Sequence, residues 1–281
     1  MALVARTRQF VLRNISGGSR CQNAMDNLPV CDLADWSHGE KLEWDHPFIS
    51  EVWIYCQPNL SGVLCLCRFD ANELDEDFYR YFDITRPQAI RQAVVKRQAE
   101  YLAGRILVQH ALRLILGDEA ASFTVKSGTH GQPDWPKGLI GSISHTNSQA
   151  TCLVVRSSNS TRQFVGIDIE WYFSAQTYRS IDGIVHDNTE LKLLTDYGVN
   201  PLEASTLIFS AKESLFKSVF MYVNCYLNFH ESRVIRMDHL GKLLVLELAS
   251  NIAGKFNLPK RYECQFRQTE KSVFTIVFIM E

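Results

Sequence analysis

Apolar positions recur at helical spacing in two long stretches and at strand-like spacing around them. Val94, Tyr101, Leu102, Ile106, Leu107, Leu112 and Leu116 follow a broad helical period that Gly117 closes, so residues 87–116 read as one long helix. A second long helix fits 201–222, with Pro201 in the first turn, where a missing N–H costs nothing. A helical region opens before it near Asn188. Residues 52–55 and 63–66 are apolar strands flanking the turn-rich Pro58-Asn59-Leu60-Ser61-Gly62, which predicts a hairpin. Further strands are expected at 139–144, 150–155, 164–170, 233–237, 243–248, 262–266 and 273–279. Residues 1–50 show no period and carry Gly17-Gly18, Pro29 and Pro47, so they read as an N-terminal extension. A long helix followed by short strands, twice, predicts an α+β fold of two similar halves, residues 51–172 and 173–281. A ligand cleft between such halves is the natural expectation.

Composition narrows the function. The chain is 46% hydrophobic and 21% charged, which is ordinary for a soluble globular protein. A net charge of −2 argues against a nucleic-acid partner, so an anionic ligand needs locally placed cations. The eight cysteines form no CxxC pair, which argues against a zinc site. Cys65 and Cys67 lie in an apolar run and are expected as buried strand thiols, in keeping with a reducing cytoplasm. No run approaches the ~18 apolar residues of a membrane span; peripheral association with a membrane stays open. Arg6, Arg8, Arg13 and Arg20 precede the first acidic residue, a faint transit-peptide signature that a ragged cytosolic terminus matches as well.

Four short stretches carry candidate chemistry. In 165–170, Asp168 and Glu170 are two apart on a strand and share one face, while Ile167 and Ile169 take the other. Adjacent carboxylates repel, and a hard cation such as Mg²⁺ relieves them; an exposed edge strand gives the same pattern. In 209–217, Glu213 and Lys217 are one helical turn apart, which also suits a plain surface pair. In 141–146, Ser142, Ser144 and His145 stand where a strand ends and can bind phosphate oxygens. Ser144 and His145 point apart on an extended strand, which disfavours a nucleophile–base pair. In 96–105, Arg97 and Arg105 lie on the first helix with forks suited to phosphate, or simply on a solvated basic face.

Taken together, 96–105, 131–138, 141–145, 166–170 and 209–217 appear in the order and spacing of a known family. The sequence resembles the Sfp-type 4′-phosphopantetheinyl transferases, within them the siderophore-synthase branch, across roughly residues 90–220 and more weakly over 50–280. The resemblance implies a pseudo-twofold α+β fold with coenzyme A between the halves. It implies that Asp168, Glu170 and Glu213 hold Mg²⁺, with Mn²⁺ as a substitute, and that Lys217 stands near the pyrophosphate. By the same resemblance Ser144 and His145 meet the nucleotide 3′-phosphate, and Arg97 and Arg105 meet coenzyme A phosphates. The resemblance also places the segment 131–133, with Pro133, at the nucleotide site, but His130 and Gln132 stand where relatives often carry Lys or Arg just before the proline. The grip on the 3′-phosphate is expected to be weaker, or Lys126 to contribute.

The implied activity is transfer of 4′-phosphopantetheine from coenzyme A to a serine of an apo aryl, peptidyl or acyl carrier protein, by a monomer. Catalysis falls to Glu213 and Lys217, with Glu213 either a metal ligand or the general base. Polyketide or fatty-acid carriers, or a scaffold that binds carriers without turnover, are the competing readings. No GxxxxGK[ST] or GxSxG occurs, which removes a P-loop protein and a serine hydrolase with a nucleophile elbow.

Overall fold

The computed structural model describes residues 39–42, 44–57, 62–158 and 160–281. Residues 1–38, with Cys21 and Cys31 and most of the expected extension, lie outside them, as do residues 58–61 of the expected hairpin turn. The chain divides into two compact units. Of the described residues, the first holds 39–141 and 147–157, the second 142–146 and 158–281. Each described unit carries one five-stranded sheet and one long helix.

The first sheet has the strands β1 (Glu40–Leu42), β2 (Ile49–Gln57), β3 (Gly62–Phe69), β7 (Gln149–Arg156) and β6 (Leu139–Thr146), in the order β1-β2-β3-β7-β6, and residues 142–146 of β6 count with the second unit. The expected hairpin strands therefore exist and pair antiparallel. Short helices α1 (Asp77–Tyr81) and α2 (Gln88–Arg91) precede α3 (Val95–Leu116), which packs on β3 and β7. Leu102, Leu107, Ala111, Leu64 and Leu153 are fully buried there. Gly117 ends α3 at φ 61°, a conformation in which a side chain would be strained. Cys65 and Cys67 are buried free thiols, as the apolar run predicts.

The helix expected over 87–116 is broken. Val94 is extended at ψ 152° and 73% exposed, not part of the apolar face. Two adjacent β-branched residues, Val94 and Val95, form helix poorly, and the Gln98 side chain donates to Ala93 O at 2.7 Å across the break. A two-rung hairpin, β4 (Lys126–Ser127) with β5 (Pro133–Asp134), follows the helix.

In the second unit β8 (Gln163–Trp171), β12 (Ser272–Met280), β11 (Arg261–Gln268), β10 (Leu243–Leu248) and β9 (Ser232–Asp238) form an antiparallel sheet in that order. β8 pairs with β12 along its whole length, so it belongs with the C-terminal strands and the division falls near Ser158. Helices α4 (Ala175–Ile181), α5 (Asn188–Thr195) and α6 (Pro201–Val223) follow β8, and α7 (Ser250–Phe256) sits between β10 and β11. Asn200 caps α6 by accepting from Leu202 N at 2.9 Å, with Pro201 in the first turn as expected. Leu207, Ile208, Leu215 and Val219 of α6 pack with Phe164, Leu244, Leu246, Tyr262 and Phe266. Among the described residues no helix is long and apolar enough to cross a membrane.

Candidate active site

The second unit sets β8 and α6 against each other at very short range. A Cβ on Gly166 would fall 1.9 Å from Ser214 O and 2.7 Å from Ser218 N, so only glycine allows α6 to lie this close to the strand. Hydroxyls line the contact. Ser210 and Ser214 bond Thr275 Oγ1 at 2.9 and 2.8 Å, and Thr275 stands directly across from Asp168 in the sheet.

Two residues beyond Gly166, Asp168 is 2% exposed. Its Oδ1 accepts from Lys217 Nζ of α6 at 2.6 Å and from Ser144 Oγ at 2.7 Å. Lys217 Nζ also donates to Ser144 Oγ at 3.0 Å and Ile167 O at 3.1 Å. Asp168 Oδ2 is buried and accepts no hydrogen bond. Ser142 and Ser144, two apart and on one face of their strand, accept from Ile167 N and Ile169 N at 3.1 and 3.4 Å. The hydroxyls expected on a phosphate are thus turned to the backbone of β8, and Ser144 joins the carboxylate–ammonium pair. His145, pointing the other way, is half-buried.

Glu213 precedes Lys217 by one turn of α6 and is half-buried. Burial pushes its carboxyl above the usual range; the Lys217 ammonium pulls it down, and the Asp168 charge pushes it up again. Glu170 stands two residues beyond Asp168 on β8, opposite Val273. These carboxylates do not gather into a metal cage: among the described residues no group of three or more His, Cys, Asp or Glu stands ready to hold a metal ion. Lys217 takes Asp168 Oδ1 in an ion pair. The donor chemistry still fits a hard cation. A buried carboxylate oxygen without a donor and a neighbouring carboxyl destabilised by negative charge both call for positive charge. Mg²⁺ is commonly held by only one or two carboxylates together with substrate phosphates.

In the first unit, Arg97 is exposed and stands 3.6 Å from Glu100 Oε2. Arg105 is 7% exposed; its Nη2 donates to Lys126 O at 3.3 Å and Ser127 Oγ at 3.1 Å, while its Nε and Nη1 are buried without a hydrogen-bond partner. Gln132 folds back over its own turn, where its Oε1 accepts from His130 N at 2.9 Å. Pro133 pairs with Ser127 in the hairpin.

One further residue of the 209–217 stretch has a structural task. Lys212 is buried beside Glu190, Nζ to Oε1 at 2.8 Å, and donates to Val185 O and Phe229 O at 2.8 and 3.1 Å. Burial lowers the ammonium pKa, and Glu190 opposes that shift. The signal was available, since Lys212 falls on the apolar stripe of Ile208, Leu215 and Val219.

Models of known families match both units. That of the 4′-phosphopantetheinyl transferase N-terminal domain matches residues 86–155, and that of the 4′-phosphopantetheinyl transferase superfamily matches residues 164–269. The chain is 34% identical over 191 residues to enterobactin synthase component D of Salmonella typhimurium, covering 67% of this chain and 74% of that protein. It is 40% identical over 129 residues to enterobactin synthase component D of Escherichia coli, covering 46% and 58%. It is 25% identical over 146 residues to the 4′-phosphopantetheinyl transferase Npt of Nocardia iowensis, covering 52% and 62%.

Proposed function

The chain belongs to the 4′-phosphopantetheinyl transferase superfamily, and on that footing we propose that it moves 4′-phosphopantetheine from coenzyme A to a serine of an apo-carrier protein. The observation that carries this reading is the contact of Lys217 with buried Asp168 inside the stretch matched to the superfamily. An ammonium and a carboxylate with a spare oxygen form a site that can share a pyrophosphate with a divalent cation.

The serine oxygen of the carrier attacks the β-phosphorus of coenzyme A. A new P–O bond forms, the bridging P–O bond breaks, and 3′,5′-ADP leaves with the electron pair. Such a transfer needs positioning and charge neutralisation more than covalent help. Lys217 supplies positive charge where the leaving group gathers negative charge. Bound Mg²⁺ supplies further neutralisation there, and Asp168, Glu170 and Glu213 are the residues that would hold it. Glu213 has a second open task, taking the serine proton, and its raised carboxyl suits a base. Ser144, His145, Arg97, Arg105, His130, Gln132 and Pro133 are proposed for the nucleotide end. The two relatives named as enterobactin synthase components support a carrier of a nonribosomal siderophore synthase as acceptor. The proposal extends to a monomer acting in the cytoplasm without a nucleic-acid partner, which the net charge of −2 and the free buried thiols support.

The test is release of 3′,5′-ADP from coenzyme A. Release that requires apo-carrier, stops on chelation and returns with Mg²⁺ or Mn²⁺ is expected. Release at full rate in excess chelator would remove the metal from the account, and no release with any carrier would remove the reaction.

A further inference from the structure

Ser210, Ser214 and Lys217 fall on one stripe of α6, at the spacing i, i+4, i+7. Facing the stripe are Asp168 of β8 and Thr275 of β12, which pair directly in the antiparallel sheet, so their side chains leave the same face side by side. Helix and sheet meet here in two rungs. Lys217 reaches Asp168, Nζ to Oδ1 at 2.6 Å. Earlier on the stripe, both serines reach Thr275.

Thr275, Ser210 and Ser214 are fully buried, so their hydroxyls must find partners within the protein. Thr275 Oγ1 lies 2.9 Å from Ser210 Oγ, 2.8 Å from Ser214 Oγ and 2.9 Å from Ser210 O. A carbonyl only accepts, so the contact with Ser210 O takes the single threonine proton, and the serines donate to its oxygen. Ser214 Oγ also stands 3.1 Å from Thr275 O. Bonds thus run in both directions between one residue of β12 and two successive turns of α6. They hold the helix against sliding along the strand and against rolling about its own axis. Gly166 lets the helix come close but has no side chain with which to set its register. With its proton committed to Ser210 O, Thr275 has none for Asp168 beside it, and Asp168 Oδ2 stays without a donor.

We propose that Thr275 is a positioning residue for the transfer, its hydroxyl held by Ser210 and Ser214 so that the register of α6 brings Glu213 and Lys217 over Asp168. The inference rests on the reading of Asp168 and Lys217 as parts of the transfer site. Valine keeps the branched shape of threonine without the hydroxyl, and serine keeps the hydroxyl without the methyl group. The two replacements therefore separate the bonds from the packing.

The test compares the full chain with Thr275→Val, Thr275→Ser and Ser214→Ala. Turnover is measured with an apo-carrier at saturating Mg²⁺. The ¹H–¹⁵N resonance of the Lys217 ammonium, assigned by its loss in Lys217→Arg, is followed without ligand. Thr275→Val should lower kcat roughly 10- to 100-fold, the scale of a small misplacement at a reacting centre, while KM for coenzyme A changes by less than about three-fold. It should also shift or broaden the ammonium resonance. Thr275→Ser should keep the resonance and recover most of the rate. Ser214→Ala, which leaves the Ser210 bonds in place, should lose roughly two- to five-fold in kcat. A folded Thr275→Val with wild-type kcat and an unmoved resonance would overturn the proposal. So would a loss that falls on KM, or a Thr275→Ser no better than Thr275→Val, which would leave packing as the only role. If Thr275→Val does not fold, Ser214→Ala decides, and wild-type kcat in that variant overturns the proposal. A wild-type protein that modifies no carrier would instead sink the transferase reading, while the ammonium resonance of the ligand-free variants still decides whether Thr275 sets the helix.

Discussion

Lys217 Nζ lies 2.6 Å from Asp168 Oδ1, while the other oxygen of the same buried carboxylate accepts nothing. One charge of this pair is thus matched and one lone-pair face is left for a second cation. If Lys217 stabilises the charge that gathers on the leaving 3′,5′-ADP, Lys217→Ala should lower kcat by roughly 10²–10³-fold, the usual cost of removing one preorganised charge donor. Lys217→Arg should recover part of that loss, since charge is kept but shape is not. The Mg²⁺ concentration for half-maximal rate should change little in Lys217→Arg. Wild-type turnover by Lys217→Ala would remove the residue from the mechanism.

Glu213 gives a prediction with a defined sign. Its carboxyl is raised by burial and by Asp168, so the folded state holds the proton more tightly than the unfolded chain does. Stability from this group is therefore fully present below the ordinary carboxylate range and is lost as pH rises through the raised value. Glu213→Gln should accordingly be more thermostable than wild type at neutral pH, with the difference vanishing near pH 4. A metal titration of the same variant separates its tasks. A ligand role predicts a higher Mg²⁺ requirement with partial rescue by excess metal, and this is the outcome we favour because the resemblance groups Glu213 with Asp168 and Glu170. A base role predicts an unchanged requirement with a lower plateau and an altered pH–rate profile.

The approach of α6 to β8 depends on Gly166. Its missing Cβ would stand 1.9 Å from Ser214 O, a backbone atom that cannot rotate away. Gly166→Ala should destabilise the protein by about 3 kcal/mol, at the upper end of overpacking costs. It should also cut turnover, because moving α6 draws Lys217 from Asp168. Chemical denaturation and steady-state kinetics check both; a variant with wild-type stability would contradict the close packing.

Acid should weaken the first unit through His110. Both ring nitrogens are buried without a partner, the Trp44 ring lies 6.0 Å away, and burial with a contribution from Arg113 lowers the pKa from 6.5 to about 4. The stability this neutral imidazole permits is present above pH 6.5 and is lost as pH falls toward about 4, on the order of 3 kcal/mol in all. Burial shifts His46 and His186 the same way. His110→Leu should flatten the stability profile between those pH values, and an unchanged slope would show that His110 does not govern it.

Much of this architecture was legible in the chain. Period-two alternation placed Asp168 and Glu170 on β8, and helical spacing placed Glu213 and Lys217 one turn apart on α6. What was hidden depends on long-range contacts. Nothing local announces that β8 pairs with β12 over a hundred residues away, so the boundary between halves was drawn after it. The break at Val94 was masked because Val94 itself fits a helical period. The protein contacts of Ser144, Gln132 and Arg105 were not legible either, since a hydroxyl, amide or guanidinium can bond a neighbouring backbone or side chain as readily as a phosphate.

The most direct measurement is the intact mass of an apo-carrier protein after incubation with coenzyme A, Mg²⁺ and this chain. The account predicts a gain of one 4′-phosphopantetheine, lost when the carrier serine is replaced by alanine and lost again with the Asp168→Ala enzyme. An unchanged carrier mass across aryl, peptidyl and acyl carriers, with a folded enzyme and intact coenzyme A, would contradict it.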